Sequence, residues 1–260
     1  MISEFSAKLR AHMANNNLIW LFLDYDGTLA DFAPTPDQIN PDPELIALLR
    51  RLSAQRNLRL TLISGRRLAH VKQLVPIPEI IRAGTYGIEL QFPEREEFAR
   101  LDYQDIRPAL ERVKPRWSEL IAGREGFYLE DKDWALALHA RFAEEHEAER
   151  VLAHARRILE EEIHSRNFRI LGGDKFLEIG PEMAHKGETI AYLLDNFGEP
   201  DMLLIYVGDD DKDEEAFSVI HEHGGSAIVV AAEPRPTQAD YRLESPQAVR
   251  RWLAELVSQN

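Results

Sequence analysis

Three apolar runs in this chain each stop on a small or acidic residue: Ile19 to Leu23 ahead of Asp24, Leu58 to Ile63 ahead of Ser64, and Leu203 to Val207 ahead of Gly208-Asp209. Short, largely apolar runs of this kind predict parallel strands buried on both faces. Helical patterns lie between them, among them Pro43 to Leu52 and Lys186 to Leu194. Strand alternating with helix predicts an α/β sheet with right-handed crossovers. Ligands of such sheets bind beyond the carboxyl ends of the strands, so the three polar endings are expected to converge on one site. The prolines of Pro34-Thr35-Pro36 and Pro41-Asp42-Pro43 predict a loop after the first strand.

The middle of the chain differs. From about Glu94 to Pro181 it becomes charge-dense, with strand-like Phe127 to Glu130 and an alternating Trp134 to His139. A charged helix follows from Glu144 to Glu162, then strand-like Phe168 to Leu171 and Lys175 to Ile179. Strands, helix and strands in that order predict a small α+β insert at 94–181, within a core formed by 1–93 and 182–260. The mixed charges of its helix read most simply as a solvated face.

Four places could carry chemistry. In Leu23-Asp24-Tyr25-Asp26-Gly27-Thr28 the two-residue period of extended chain allows Asp24 and Asp26 to project to one side, and Gly27 permits a sharp turn. Two carboxylates so close require a cation or a shared proton, which suits a metal-binding nucleophile beside an acid/base; a turn whose aspartates cap backbone amides fits the same residues. In Ile63-Ser64-Gly65-Arg66 a hydroxyl and a backbone N–H at a strand end can hold a phosphate oxygen, and equally can cap a helix. Lys186-Gly187 places a cation at the head of a helix, where it opposes the dipole. In Gly208-Asp209-Asp210-Asp211-Lys212-Asp213-Glu214-Glu215, adjacent carboxylates after a buried strand favour a divalent cation. The helix dipole accounts for Glu214 and Glu215 but poorly for Asp209 and Asp210.

The 260 residues carry a formal charge of −14, which argues against nucleic acid and anionic membranes as partners. No apolar run approaches the roughly 18 residues of a membrane span. With no cysteine, disulfides and thiolate chemistry are excluded, and a metal must be held by oxygen or imidazole. The first ten residues lack the order of a secretory signal, so a cytoplasmic location is expected. A chain this acidic needs local cations to handle a phosphate.

Taken in order, Asp24-Tyr25-Asp26-Gly27-Thr28, Ser64, Lys186 and Gly208-Asp209-Asp210 with Asp213 resemble the four motifs of the haloacid dehalogenase superfamily. That resemblance implies a Rossmann-like core with a parallel sheet and a smaller α+β cap of the C2B-like type, inserted between the second and third motifs. The stretches Leu23 to Leu29, Ile63 to Arg66, Gly84 to Glu89, Leu129-Glu130-Asp131-Lys132, Lys186-Gly187 and Gly208 to Phe217 further resemble the trehalose-6-phosphate phosphatase family. Three positions depart from it: Tyr86 where His is common, Lys212 in place of Thr, and Gly180 where an arginine often precedes Pro181.

The resemblance implies a Mg²⁺-dependent phosphatase acting on a small-molecule sugar phosphate, with trehalose 6-phosphate the narrowest assignment. Mannosyl- or glucosyl-3-phosphoglycerate and glucosylglycerol phosphate are alternative substrates, and a catalytically silent sugar-phosphate sensor is the non-enzymatic one. It further implies Asp24 as nucleophile, Asp26 as acid/base, Ser64 and Lys186 as phosphate holders with Gly65 and Arg66 beside them, and Asp24, Asp26, Asp209, Asp210 and Asp213 around the metal. Glu130, Lys132, Arg141 and Glu178 are implied as substrate contacts, and a trehalose-phosphate synthase as the neighbouring enzyme of the pathway.

Overall fold

The computed structural model describes residues 2–32, 40–173 and 175–257, and the segment Pro34-Thr35-Pro36 lies outside them. Along the chain run α1 (Ile2–Ala14), β1 (Ile19–Leu23), α2 (Pro43–Ser53), β2 (Leu58–Ile63), α3 (Leu68–Leu74), β3 (Ile81–Gly84), β4 (Glu89–Gln91) and β5 (Phe98–Ala99). Next come α4 (Tyr103–Ile121), β6 (Tyr128–Asp131), β7 (Leu136–His139), α5 (Glu145–Glu162), β8 (Phe168–Gly173) and β9 (Phe176–Pro181). The remainder is α6 (Lys186–Phe197), β10 (Leu203–Gly208), α7 (Asp211–Glu222), β11 (Ser226–Val230), β12 (Tyr241–Leu243) and α8 (Pro246–Leu256). The chain divides into two compact units, one of residues up to Phe98 and from His185 onward, the other Ala99–Ala184.

In the first unit an eight-stranded sheet has the order β12-β11-β10-β1-β2-β3-β4-β5. From β12 to β3 every pairing is parallel, and β4 turns back antiparallel on β3. The three apolar runs are thus β1 and its two neighbours, β10 and β2, side by side. Strand alternation sends Ile19, Leu21 and Leu23 to one face, where they pack with side chains of α1, α2, α3 and α8, and Trp20 and Phe22 to the other, against α6 and α7. Burial on both faces is why β1 and β10 are continuously apolar, while β2 admits Arg59 at its partly exposed amino-terminal end and a buried Thr61. At about 25 cal/mol per Å² of apolar area removed from water, that double coverage is the main driving force for this unit.

The second unit is a four-stranded antiparallel sheet, β6-β7-β9-β8, with α4 and α5. The helix α5 buries Ala148, Val151, Ala155, Ile158 and Leu159, the spacing of one helical face, and Glu144 caps it by accepting from the Glu147 N–H. Its partner α4, which composition did not announce, contains Pro108 and Pro115. Each proline removes one backbone donor from the helix. Burial of Ile106, Leu110, Val113 and Trp117, and a Trp117 Nε1 bond of 3.1 Å to the Ala155 carbonyl, hold the helix nonetheless. Phe98 remains with the first unit, where its ring lies parallel to that of Phe92 at 6.1 Å.

Candidate active site

Asp24, Ser64 and Asp209 all sit just beyond the carboxyl ends of adjacent strands. Asp24 continues β1, its N–H donating to the Val207 carbonyl at 3.0 Å, and its side chain is 4% exposed. Lys186, the first residue of α6, is 2% exposed and donates from Nζ to Asp24 Oδ1 at 2.8 Å and to Asp213 Oδ1 at 2.6 Å. Burial alone would strip the Lys186 proton, but the carboxylates of Asp213 and Asp24 outweigh it and hold its pKa well above the ordinary lysine value. That partnership answers why a cation stands at a helix N-terminus against the dipole.

Asp24, Asp209 and Asp213 bring carboxylate oxygens within 4.8 Å of one another. Burial pushes all three pKa values up, that of Asp209 to about 7, because like charges crowd a site short of cations. Asp209 has no cationic partner among the described residues; its Oδ1 accepts only the Thr28 hydroxyl, at 3.2 Å. Gly27, at φ +81°, makes room for it, since a Cβ there would collide with the Asp209 carboxylate. An all-oxygen, cation-deficient cluster of this kind suits a hard divalent metal.

Asp213 is wholly buried and already satisfied: Tyr206 Oη donates to Oδ1 at 2.6 Å, and the Asp209 and Asp210 N–H groups donate to Oδ2 at 3.0 Å. It positions the loop and Lys186. Asp210 corrects the reading that a helix start explains it poorly, because it is the N-cap of α7 and forms a capping box with Asp213. Burial raises the Asp210 pKa, but the Lys186 and Lys212 ammoniums overcome that and hold it below the usual carboxylate range.

Asp26 goes elsewhere. Its carboxylate accepts from Arg66 Nε and Nη2, each at 2.7 Å, a bidentate pair that binds the first motif to the second. The two aspartates of the motif therefore have different partners, and Asp26 stands apart from the Asp24, Asp209 and Asp213 group. Ser64 is not a helix cap, since Arg67 holds that place in α3 without a side-chain bond. Its Oγ accepts from the Arg66 N–H at 3.1 Å. Gly65 is pinned by the Tyr86 ring, which a Cβ would strike. Tyr86 itself is held at φ 56°, its carbonyl accepting from Thr189 Oγ1 at 2.7 Å, and Lys212 Nζ lies 5.7 Å from its ring centroid. Two of the three departures from the family pattern thus meet one another. The third, Gly180, pairs with Arg169 across β8 and β9.

In the second unit, register places Glu130, Ala137 and Glu178 side by side on β6, β7 and β9. Lys132 Nζ donates to Glu178 Oε2 at 2.6 Å and stands 4.0 Å from Glu130. His139 Nε2 lies 3.0 Å from the same Glu130 carboxylate. Arg141 is exposed between β7 and α5. Sequence reasoning missed Tyr206, Thr28 and His139. Tyr206 and His139 stood inside runs read only as strand, and the alternation of those strands was the available signal.

The proton affinity of the cluster predicts a pH dependence. Asp209 has a folded pKa of about 7 against an ordinary 3.8, so the stability it contributes when protonated is fully present below the lower value and lost as pH rises through the upper one. Asp24 and Asp213 shift in the same direction. In EDTA the melting temperature is expected to fall between about pH 4 and about pH 7, and a divalent cation is expected to stabilise more at the higher pH. A melting temperature independent of pH in EDTA would count against this account.

The profile of the trehalose-phosphatase family matches residues 22–247. A trehalose 6-phosphate phosphatase of Zea mays is 30% identical over 274 aligned positions, covering 99% of this chain and 74% of that protein. Trehalose-phosphate phosphatase B of Arabidopsis thaliana is 30% identical over 257 positions, 94% of this chain and 67% of its own length. Among solved structures, the C-terminal domain of a C. albicans trehalose-6-phosphate phosphatase shares the fold at a TM-score of 0.84 and 20% identity, over 97% of this chain and 96% of that one. The chain belongs to the trehalose-phosphatase family and is a phosphoric monoester hydrolase.

Proposed function

We propose that this enzyme hydrolyses trehalose 6-phosphate to trehalose and phosphate through an aspartyl phosphate on Asp24, with Mg²⁺ bound. The observation that carries the chemistry is the buried Asp24 carboxylate held at 2.8 Å by Lys186 beside two further carboxylates. The substrate rests on the relatives, which are named for trehalose phosphate.

Mg²⁺ is assigned to the Asp24 carboxylate, the Asp26 carbonyl and Asp209, with Asp210 and Asp213 orienting that set, and it supplies charge neutralisation at the phosphoryl group. Asp24 Oδ forms the bond to phosphorus as the sugar oxygen leaves and takes a proton from Asp26. Water then attacks phosphorus, gives its proton to Asp26, and releases phosphate and free Asp24. Since Asp26 pairs with Arg66 as a carboxylate, the proton transfer requires it to turn off that guanidinium and take up a proton from solvent before the sugar oxygen leaves. Lys186 uses two of its three donors on Asp24 and Asp213 and keeps one for a phosphoryl oxygen; Ser64 accepts from Arg66 and keeps its hydroxyl proton to donate. Gly65 and Arg66 complete the phosphate side.

The unit Ala99–Ala184 is assigned the role of cap, with Glu130, Lys132, Arg141 and Glu178 recognising sugar hydroxyls or phosphate. The buried Lys132–Glu178 pair supports this, because paired charges on a sheet face are ready-made hydroxyl partners. The reaction is placed in the cytoplasm, downstream of a trehalose-phosphate synthase. Among the described residues no helix is long and apolar enough to cross a membrane.

Phosphate release decides the assignment. Trehalose 6-phosphate is expected to exceed glucosyl-3-phosphoglycerate and glucosylglycerol phosphate by at least about tenfold in kcat/KM, with EDTA abolishing turnover and Mg²⁺ restoring it. Preference for another substrate overturns the sugar, and turnover in EDTA overturns the metal.

A further inference from the structure

At the opposite end of the sheet from Asp24, the amino-terminal edges of β1, β2 and β3 border a cleft of about 650 Å³. That volume lies within the range of small-molecule sites, roughly 300–1,000 Å³. In a chain of charge −14 its lining is unusual, because it gathers Arg56, Arg59 and Arg95. Arg59 is fixed: it donates to the Phe197 carbonyl at 2.7 Å, pairs with Glu199, and lies 4.7 Å over the Trp20 ring. The other lining carboxylate, Glu79, acts on the buried Arg82. Arg56 and Arg95 have no ion pair among the described residues, and the lining as a whole, with Arg59, Glu79 and Glu199, carries a net charge of +1.

Arg95 is also oriented. Its guanidinium lies 5.7 Å over Phe92 and 5.9 Å over Phe197, whose rings are 4.5 Å apart. Stacking on rings occupies one face of a guanidinium and leaves its N–H edge and outer face available. A flat guanidinium face backed by aromatic rings, together with surplus positive charge, suits a ligand with a planar ring and a phosphate.

We propose that this cleft binds a nucleoside phosphate, at a site separate from the one that holds Asp24. The ring stacks on the outer face of the Arg95 guanidinium, which Phe92 and Phe197 back, and the phosphates take the N–H edge of Arg95 and the exposed Arg56. The inference does not depend on which sugar phosphate the enzyme hydrolyses.

Isothermal titration of the full chain in EDTA with ADP, adenosine and inorganic phosphate tests it. ADP is expected to bind one per chain, in wild type and in Asp24→Asn alike, and more tightly than adenosine or phosphate. Arg95→Glu and Arg56→Glu are each expected to weaken ADP at least about tenfold, the loss of one charge-assisted contact. Both variants should keep the wild-type melting temperature and hydrolysis of p-nitrophenyl phosphate. Absence of ADP binding at millimolar concentration, wild-type ADP affinity in both arginine variants, or displacement of ADP by a phosphate mimic bound at Asp24 overturns the proposal.

Discussion

Replacing Asp24 by asparagine is expected to lower phosphate release by at least about a thousandfold without unfolding the protein. Asparagine has the shape of aspartate but supplies no nucleophilic carboxylate, so the covalent route closes. The stability side follows from burial. Asp24 is 4% exposed and its pKa is raised, so its ionised form is disfavoured in the fold and a neutral isostere relieves that cost. Lys186 keeps Asp213 as a partner at 2.6 Å. In EDTA the melting temperature of the variant should therefore equal or exceed that of wild type. Acid-quenching the enzyme with phosphate-labelled substrate should leave label on the wild-type protein and none on the variant. Activity near wild type in Asp24→Asn would remove Asp24 as nucleophile.

Lys186→Met is expected to lose activity to a similar degree and, unlike the first variant, to lose stability. Methionine fills the same volume but leaves Asp24 and Asp213 buried with no cation. Breaking a buried pair from one side costs about 3–5 kcal/mol, which corresponds to a fall of roughly 10 °C in melting temperature for a chain of this size. Mg²⁺ should recover part of that loss, because it neutralises Asp24, while Asp213 faces Tyr206 and backbone N–H groups and stays uncompensated. A Lys186→Met variant as stable as wild type would mean that the carboxylates protonate at little cost, and the assignment of Lys186 as their counter-charge would fail. The two variants together separate chemistry from electrostatic support.

Much of the site was legible in the chain because its residues follow buried strands. A strand buried on both faces must be apolar to its last turn, so the first polar residue after it marks the carboxyl edge. Asp24, Ser64 and Asp209 announce themselves in that way. The role of Asp210 was misread, because an aspartate three residues ahead of Asp213 at a helix start is a cap signal that its acidic neighbours masked with a metal reading. The pairing of Asp26 with Arg66 was not legible. Nothing local distinguishes Asp26 from Asp24, and the partners stand 40 residues apart. The helix α4 stayed hidden for the opposite reason: two prolines gave a local signal that Trp117 and its neighbours override by burial.

By itself the amino-acid sequence determined the α/β core and the convergence of Asp24, Ser64 and Asp209 at the ends of β1, β2 and β10, because strand and helix periods and end residues are local properties. Only the tertiary structure decided which carboxylate meets which cation. Lys186 reaches Asp24 across 162 positions and Asp213 across 27, and Tyr206 donates to Asp213. Charge pairing in a buried site depends on through-space distance and desolvation, and those exist only once the sheet has brought the strand ends together.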